Sequence, residues 1–346
     1  MPSTRAHITR LVIATFPLLA STLYAQEVTL KVSHFLPPNS NYQKTVLEPW
    51  CDKLAKDSGG KLKCQIYPAM QLGGTPPQLA DQVKNAVADI VMTSPSYSSG
   101  RFPYTEALEQ PFTLPPGGLA GSKAMWEYTQ KFAMKDYADF KLLAMFSGSG
   151  IIMSTSSKPI LTVDGFKGVK LRSPSRSAAR LLTALGGAPV NMPPAQITEA
   201  VSKGVVDGAM ATWELVPAVK LQEVTKYHMQ GPANQPAFTQ NPLVMLMNKA
   251  RYEGLPPDLR AILDKAAGPA LVELAGSSWD KAIDDGRRLA DQAGNRTLTV
   301  KPEDYAAMRK ASASVEVDWA KDVAGKGLDG AMLVREARSI GAKYLK

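Results

Sequence analysis

Residues 76–92, PPQLADQVKNAVADIVM, return 118 residues later as PAQITEAVSKGVVDGAM at 194–210. At that single offset Pro76 matches Pro194, Gln78 matches Gln196, Val83 matches Val201 and Val87 matches Val205; Asp89 then matches Asp207, and Met92 matches Met210. Each copy reads as a proline-started helix, 76–87 in the first, with apolar residues at i, i+4 and i+8. A tight turn and a short apolar strand follow. Two such units imply two similar α/β lobes, and two similar lobes enclose a cleft. Chance likeness between ordinary αβ units is the competing reading. The prolines, the valine spacing and the aspartate all agree at one offset, which weighs against it.

The chain of 346 residues is long enough for two cores. Arg5 and Arg10, the apolar stretch Leu11–Leu23 and small residues before a cut after Ala25 read as an export signal. That stretch is too short to span a bilayer comfortably, so a soluble, exported protein is expected. The formal charge is +9; without Arg5 and Arg10, 38 Lys+Arg face 31 Asp+Glu, or +7. These bases are scattered, which argues against nucleic acid as a partner; a mild positive field favours anionic ligands. Cys51, on a helix expected over Tyr42–Asp57, and Cys64, on the strand KLKCQIYP, are the two cysteines. In an oxidising compartment they are expected to form a disulfide, with two buried thiols as the alternative.

The order of VTLKVSHF, helix, KLKCQIYP, helix and DIVMTS is β-α-β-α-β, which predicts a mostly parallel sheet. Ligands in such sheets sit beyond the carboxyl ends of strands. That rule selects His34-Phe35 and the segment from Ser94 to Tyr97. LLAMFSGSGIIMSTSSKPI reads as an extended stretch leading into the second lobe, and AFTQNPLVMLMNK as the return. From Pro256 to Gly294 the pattern is continuously helical, with a kink expected at Pro269 and a length of roughly 55 Å.

Signatures of catalysis are missing. His7 lies in the signal, and His34 and His228 are far apart in sequence. No metal-spaced Cys/His cluster, nucleophile elbow, phosphate loop or dinucleotide fingerprint is present, so neither a metal nor a cofactor is expected. Ser278 and Lys281 fit S-x-x-K by spacing but fall inside the long helix without companion motifs. Arg172, ending the strand GVKLR just before a helix, is the strongest chemical candidate. A guanidinium there can make a bidentate pair with a carboxylate, near a helix N-terminus that also favours anions. A surface ion pair is the plainer reading of Arg172. Arg176, four residues on, is a weaker second candidate.

With LKVSHFLPPNS, YPAMQLGG, GFKGVKLRSPS, LGGAPVNMPPAQITEAVSKGVVDGA and the helix after LPPDLRAIL in that order, the chain resembles the DctP-like substrate-binding proteins of tripartite ATP-independent periplasmic (TRAP) transporters. The resemblance spans essentially the whole mature chain. It implies an α/β two-lobe periplasmic binding fold with a central cleft and a long helix spanning both lobes. It also implies a periplasmic location, a monomer, an organic acid ligand and transient contact with TRAP membrane permease subunits. The lobes are expected at 26–149 plus about 245–282 and at 150–244 plus about 283–346. The family's carboxylate clamp carries onto Arg172.

Departures from the family pattern shape the expected ligand. Ile152 stands where members binding polyhydroxy acids have a second arginine, Met210-Ala211 replace an asparagine, Ser94 replaces an acid, and Phe35 takes a polar position. A monocarboxylate with an apolar or aromatic tail is therefore expected, such as a 2-oxo or 2-hydroxy acid. Trp213, Met210, Phe35 and Phe238 would wall its tail, and Ser94, Ser149 and His34 would make polar contacts. A C4-dicarboxylate or sugar acid, an exported hydrolase and a receptor for an ATP-driven importer are the alternatives.

Overall fold

The computed structural model of the protein describes residues 27–345. The export signal expected over 1–25 lies outside them. Among the described residues, no helix is long and apolar enough to cross a membrane.

The strands in chain order are β1 (Val28–His34), β2 (Leu62–Tyr67), β3 (Ile90–Thr93), β4 (Phe140–Gly150), β5 (Ile152–Thr155), β6 (Lys170–Ser173), β7 (Ala188–Asn191), β8 (Gly208–Ala211), β9 (Tyr227–Gln230), β10 (Gln240–Asn248) and β11 (Arg296–Thr299). They form two sheets, ordered β2-β1-β3-β10-β4 and β11-β9-β5-β8-β6-β7. Within each lobe the helix-connected strands are parallel: β1 with β2 and β3, and β6 with β7 and β8. The strands that cross between lobes run antiparallel to them, β10 against β3 and β5 against β8. The extended stretch crosses as expected, with β4 running through Ile151 straight into β5, and β10 brings the chain back.

The repeat survives as three-dimensional structure. Pro76–Gln78 and Pro194–Gln196 are 3-10 turns, followed by α-helices Leu79–Lys84 and Ile197–Ser202 and then by β3 and β8. Val83 and Val201 are buried, but Val87 and Val205 are 45% and 52% exposed. The helices stop before these outer valines, short of the expected end at 87, because Ala86 (φ 58°) and Gly204 (φ 67°) turn left-handed. The N–H groups of Val87 and Val205 then donate to Gln82 O and Ala200 O, both at 2.9 Å. That pattern closes a helix in a Schellman motif.

The matched aspartates also have one job. Asp89 Oδ2 accepts from the Lys31 N–H at 2.7 Å, and Asp207 Oδ2 accepts from the Lys170 N–H at 2.8 Å. Their own N–H groups donate back to the carbonyls of Lys31 and Lys170. Each aspartate thereby fixes the register of its neighbouring strand, pairing Ser33 with Val91 and Arg172 with Ala209. Because 91 and 209 are also 118 apart, Ser33 is the first lobe's counterpart of Arg172.

Three findings correct the expectations. First, the continuous helix over 256–294 is two helices, Pro257–Ala266 and Pro269–Gln292, so Pro269 opens a helix rather than kinking one. Gly268 adopts φ 57° there and its N–H donates to Leu143 O at 2.7 Å, tying the break to β4. Proline at the first helical position loses no hydrogen bond. The 24-residue second helix, roughly 36 Å long, still touches both lobes, running from β4 to β11. Second, the helix Gly330–Tyr344 packs on the first lobe, and the helix Ala313–Ala324 joins the same core through Trp319 and Val323 while also touching the second-lobe helix Arg176–Ala184. The helix Pro302–Ala311 packs on the second sheet's core through Tyr305 and Met308. Third, the segment expected as one helix over 42–57 begins with a π-wound stretch, Tyr42–Leu47, ahead of Pro49. Cys51 and Cys64 form the disulfide, with Cα atoms 5.7 Å apart.

The repeat yields a paired prediction. Nothing lies within 4 Å of a Cβ built at Gly204, so Gly204→Ala tests the backbone alone. It is expected to destabilise by about 1 kcal/mol, whereas Ala86→Gly stabilises by up to about 1 kcal/mol. Urea unfolding midpoints of the two variants check both signs.

Candidate functional site

Arg172 is the third residue of β6, on the sheet face opposite Leu171, whose side chain packs in the second-lobe core. Its guanidinium is held by the repeat's flanks: Nε donates to Met192 O at 3.0 Å and Nη1 to Met210 O at 2.9 Å. The side chain is 2% exposed, and among the described residues it has no carboxylate partner. Burial pulls its pKa down to about 10, with the Tyr97 phenol beside it opposing the shift, so it remains a cation at neutral pH. Burial likewise pushes Tyr97 up to about 12, opposed by Arg172, and leaves the phenol neutral. Phe35 stands edge-on to Tyr97 with ring centroids 5.2 Å apart. Arg172, Tyr97 and Phe35 thus come together where the carboxyl ends of β1, β3 and β6 converge.

Polar atoms without partners collect behind this trio. His34 is fully buried; its Nε2 meets Gln43 Oε1 at 3.1 Å while Nδ1 has no partner, and burial lowers its pKa to about 4, so the ring is neutral. Its ring packs edge-on against Tyr42, which in turn contacts Phe146 and Trp279. The hydroxyls of Ser33 and Tyr42, Trp279 Nε1 and Glu214 Oε2 are also buried and unpaired. The Trp279 indole lies close enough to act on the Glu214 carboxyl without meeting hydrogen-bond geometry, and Tyr97 feels the charges of both Arg172 and Glu214. Buried polar atoms left unpaired are costly, and those of His34, Tyr42 and Trp279 lie on one face of β1 and its neighbouring helices, whereas Ser33 turns to the other face.

The remaining expected residues divide among other places. Met210 lends its carbonyl to Arg172, but its side chain packs in the second-lobe core, because alternation along β8 turns it to the far face. Ser94 spends its hydroxyl on Pro242 O at 2.9 Å, fastening β3 to β10. Arg176 is exposed, 3.8 Å from Asp322, which Arg180 also pairs. Ser149, Trp213 and Phe238 line a separate cavity of about 700 Å³ at the hinge, which does not include Arg172. Ser149 adopts φ 68° beside the first crossing. Trp213 donates from Nε1 to Gln230 Oε1 at 3.3 Å and lies under the Arg287 guanidinium at 5.5 Å. Phe238 is buried between Phe112 and Tyr305.

Sequence reading did not single out Tyr42, Glu214 or Trp279. Glu214 alone carried a signal: it is the single acid in the otherwise apolar run ATWELVPAV after the second repeat. Ser278 of the S-x-x-K match bonds Asn41 Nδ2 at 3.0 Å and the Thr45 hydroxyl, joining the long helix to the Tyr42 segment. Among the described residues no group of His, Cys, Asp and Glu could hold a metal ion.

Glu109 lines a second cavity together with Ser96, Arg176, Arg180 and Asp322; it is 2% exposed, and its carbonyl accepts from Ser177 and Thr239 hydroxyls at 3.0 and 2.7 Å. Burial lifts its carboxyl to about 8, with Ser96 opposing. The folded state therefore holds a proton that the unfolded chain releases near the usual carboxylate range, and stability falls as pH rises from about 4.5 to 8. Glu109→Gln removes that contribution. Its melting temperature relative to the parent is expected to rise between pH 5 and pH 8, as measured by calorimetry without ligand.

The family described as bacterial extracellular solute-binding protein, family 7 (DctP), matches residues 32–322. A TRAP solute-binding protein from a marine metagenome, specific for aromatic acids and solved with 3-hydroxybenzoate, is 41% identical with TM-score 0.89, covering 93% of this chain and 100% of that one. One from Rhodoferax ferrireducens T118, solved with copurified benzoate, is 39% identical with TM-score 0.88, covering 92% and 98%. A solute-binding protein of Albidiferax ferrireducens is 27% identical over 293 residues, covering 80% of this chain and 82% of that protein.

Proposed function

Because the chain belongs to the family 7 bacterial extracellular solute-binding proteins, and is thereby a TRAP solute-binding receptor for an organic acid, we propose that it captures aromatic monocarboxylates of the benzoate class. Arg172 would clamp the carboxylate. One observation carries this reading: a buried cation held by two backbone carbonyls, with no acid of the protein opposite it. Desolvating a guanidinium costs several kcal/mol unless a counter-charge arrives, and a ligand carboxylate supplies it. Phe35 and Tyr97 give the adjoining wall aromatic edges, and Tyr42, Phe146 and Trp279 continue it. The benzoate and 3-hydroxybenzoate bound by relatives at 39% and 41% identity support an aromatic tail over the 2-oxo or 2-hydroxy aliphatic acids otherwise expected.

A C4-dicarboxylate fits this chamber poorly. Its second anion would meet no second cation: Ile152 is apolar, and the other ionisable group that Tyr97 senses is the acid Glu214. The receptor would work in the periplasm after loss of residues 1–25 and deliver its acid to a TRAP permease without chemical change. With Arg172 2% exposed, the lobes must part for a ligand to enter.

Isothermal titration of the ligand-stripped protein with benzoate tests the proposal. Saturable one-to-one binding is expected, and Arg172→Ala should weaken it by about 30-fold or more, since leaving one charge of a buried pair alone costs roughly 2–5 kcal/mol. Arg172→Lys should recover only part of that loss, because an ammonium cannot keep both carbonyl contacts and a bidentate pair. Unchanged affinity in Arg172→Ala would remove the clamp.

A further inference from the structure

We infer that the lobes close over their acid with uptake of a proton at Glu109, so that capture of the anion is linked to pH. This rests on the proposed function, which supplies benzoate as the acid that draws the lobes together. Glu109 ends the 3-10 turn Thr105–Glu109, whose Ala107 and Leu108 pack in the first-lobe core. It lines a cavity of about 320 Å³ that both lobes build. Ser96 and Glu106 come from the first lobe, and Arg176, Ser177 and Arg180 from the second-lobe helix Arg176–Ala184. The Ser177 hydroxyl donates across the gap to Glu109 O at 3.0 Å.

No positive charge in that cavity is free to neutralise an ionised Glu109. Among the described residues Glu109 makes no ion pair, and its Oε1 is buried without a partner. Arg180 pairs with Asp322, which Arg176 approaches at 3.8 Å, and Lys326 Nζ donates to Gly100 O at 2.6 Å. Glu106 is engaged by the Gly100 N–H and the Trp319 indole and brings a second negative charge. Tyr137, the phenol that senses Glu109, is lifted by burial far above neutral pH and stays uncharged. The unpaired oxygens of Ser96 and Gln110 in the same cavity carry no charge either. A carboxyl desolvated among such neighbours keeps its proton, because burial without a cation disfavours the anion. Burial accordingly lifts Glu109 to about 8 against the opposing Ser96 hydroxyl, and the charge of Glu106 adds to the rise.

Parting the lobes dismantles this enclosure. Arg176, Ser177 and Arg180 withdraw with the second lobe, water reaches the carboxyl, and its pKa returns towards the ordinary carboxylate range. At neutral pH the open form is therefore ionised at Glu109 and the closed form is protonated. A group whose pKa is higher in the closed form favours closure fully below its open-form value, and that contribution is lost as pH rises to about 8. Between pH 5 and pH 8 Arg172 stays cationic and His34 neutral, so the clamp itself does not titrate. Glu214, lifted by burial to about 7, does titrate in this span and needs its own variant.

Isothermal titration of the ligand-stripped protein with benzoate, between pH 5 and pH 8 and in buffers of different ionisation enthalpy, reads both the affinity and the protons exchanged. The parent is expected to take up at least about half a proton per benzoate at pH 7 and to lose about tenfold or more in affinity from pH 6 to pH 8. Glu109→Gln, a neutral stand-in for the protonated acid, should take up at least about half a proton fewer and bind benzoate more tightly than the parent at pH 8. Glu214→Gln should keep the uptake that Glu109→Gln removes. Each variant is compared with itself across pH, so a loss of stability does not imitate the result. Binding without proton uptake, or uptake that persists in Glu109→Gln and disappears in Glu214→Gln, overturns the inference and leaves the clamp standing. A parent that binds no benzoate at any pH overturns the aromatic-acid reading and this inference with it.

Discussion

Everything at the cleft depends on two carboxylate-to-backbone hydrogen bonds, Asp89 to Lys31 and Asp207 to Lys170. A strand pairing slipped by one residue would send every side chain to the opposite face. Asp207 prevents that slip at Lys170, which opens β6 two residues before Arg172, and Asp89 prevents it at Lys31 in the middle of β1, two residues before Ser33. The repeated motif thus acts as a register lock in each lobe, and its chemistry is the same in both. What differs is the residue that the lock presents, a guanidinium in one lobe and a hydroxyl in the other.

The guanidinium is then placed under conditions that an ordinary surface arginine never meets. It lies under two carbonyl groups and beside a neutral phenol, with water excluded. Dipoles soften the desolvation cost but do not neutralise the charge. The same logic applies to Glu109 and Glu214, whose carboxyls are buried without cations and hold their protons to unusually high pH. Each is a local sacrifice of stability, tolerated where the fold has large cores elsewhere.

Much of this was legible in the sequence. The repeat gave the two lobes, the alternating apolar stretches gave both crossings, and Arg172 stood out because a charge ended an apolar strand. The failures have physical reasons. Periodicity cannot see Gly268 adopting φ 57°, so the helix break at Pro269 read as a kink. Val87 and Val205 matched the apolar spacing, yet a left-handed residue ends each helix just before them. Helices over 313–344 have amphipathic faces that fit either lobe, and only tertiary packing assigns them to the first. Trp213 and Phe238 are near the crossings in sequence, but they turn to the hinge cavity rather than to Arg172. Tyr42 and Trp279 lie on helical stretches whose apolar pattern reads as core. Their unpaired polar atoms are a property of packing, which no spacing rule encodes.

The chain's final helices carry a consequence for how the cleft moves. Asp322 rides on a helix anchored to the first lobe, while Arg180 and Arg176 ride on the second-lobe helix that follows the clamp strand. The two lobes are therefore held together at the mouth by a solvent-exposed electrostatic latch that is independent of any bound acid. Pairs of this kind contribute at most about 1 kcal/mol and are screened by salt. Parting the lobes would have to break these pairs, so that step would cost slightly less as ionic strength rises, whatever acid is bound.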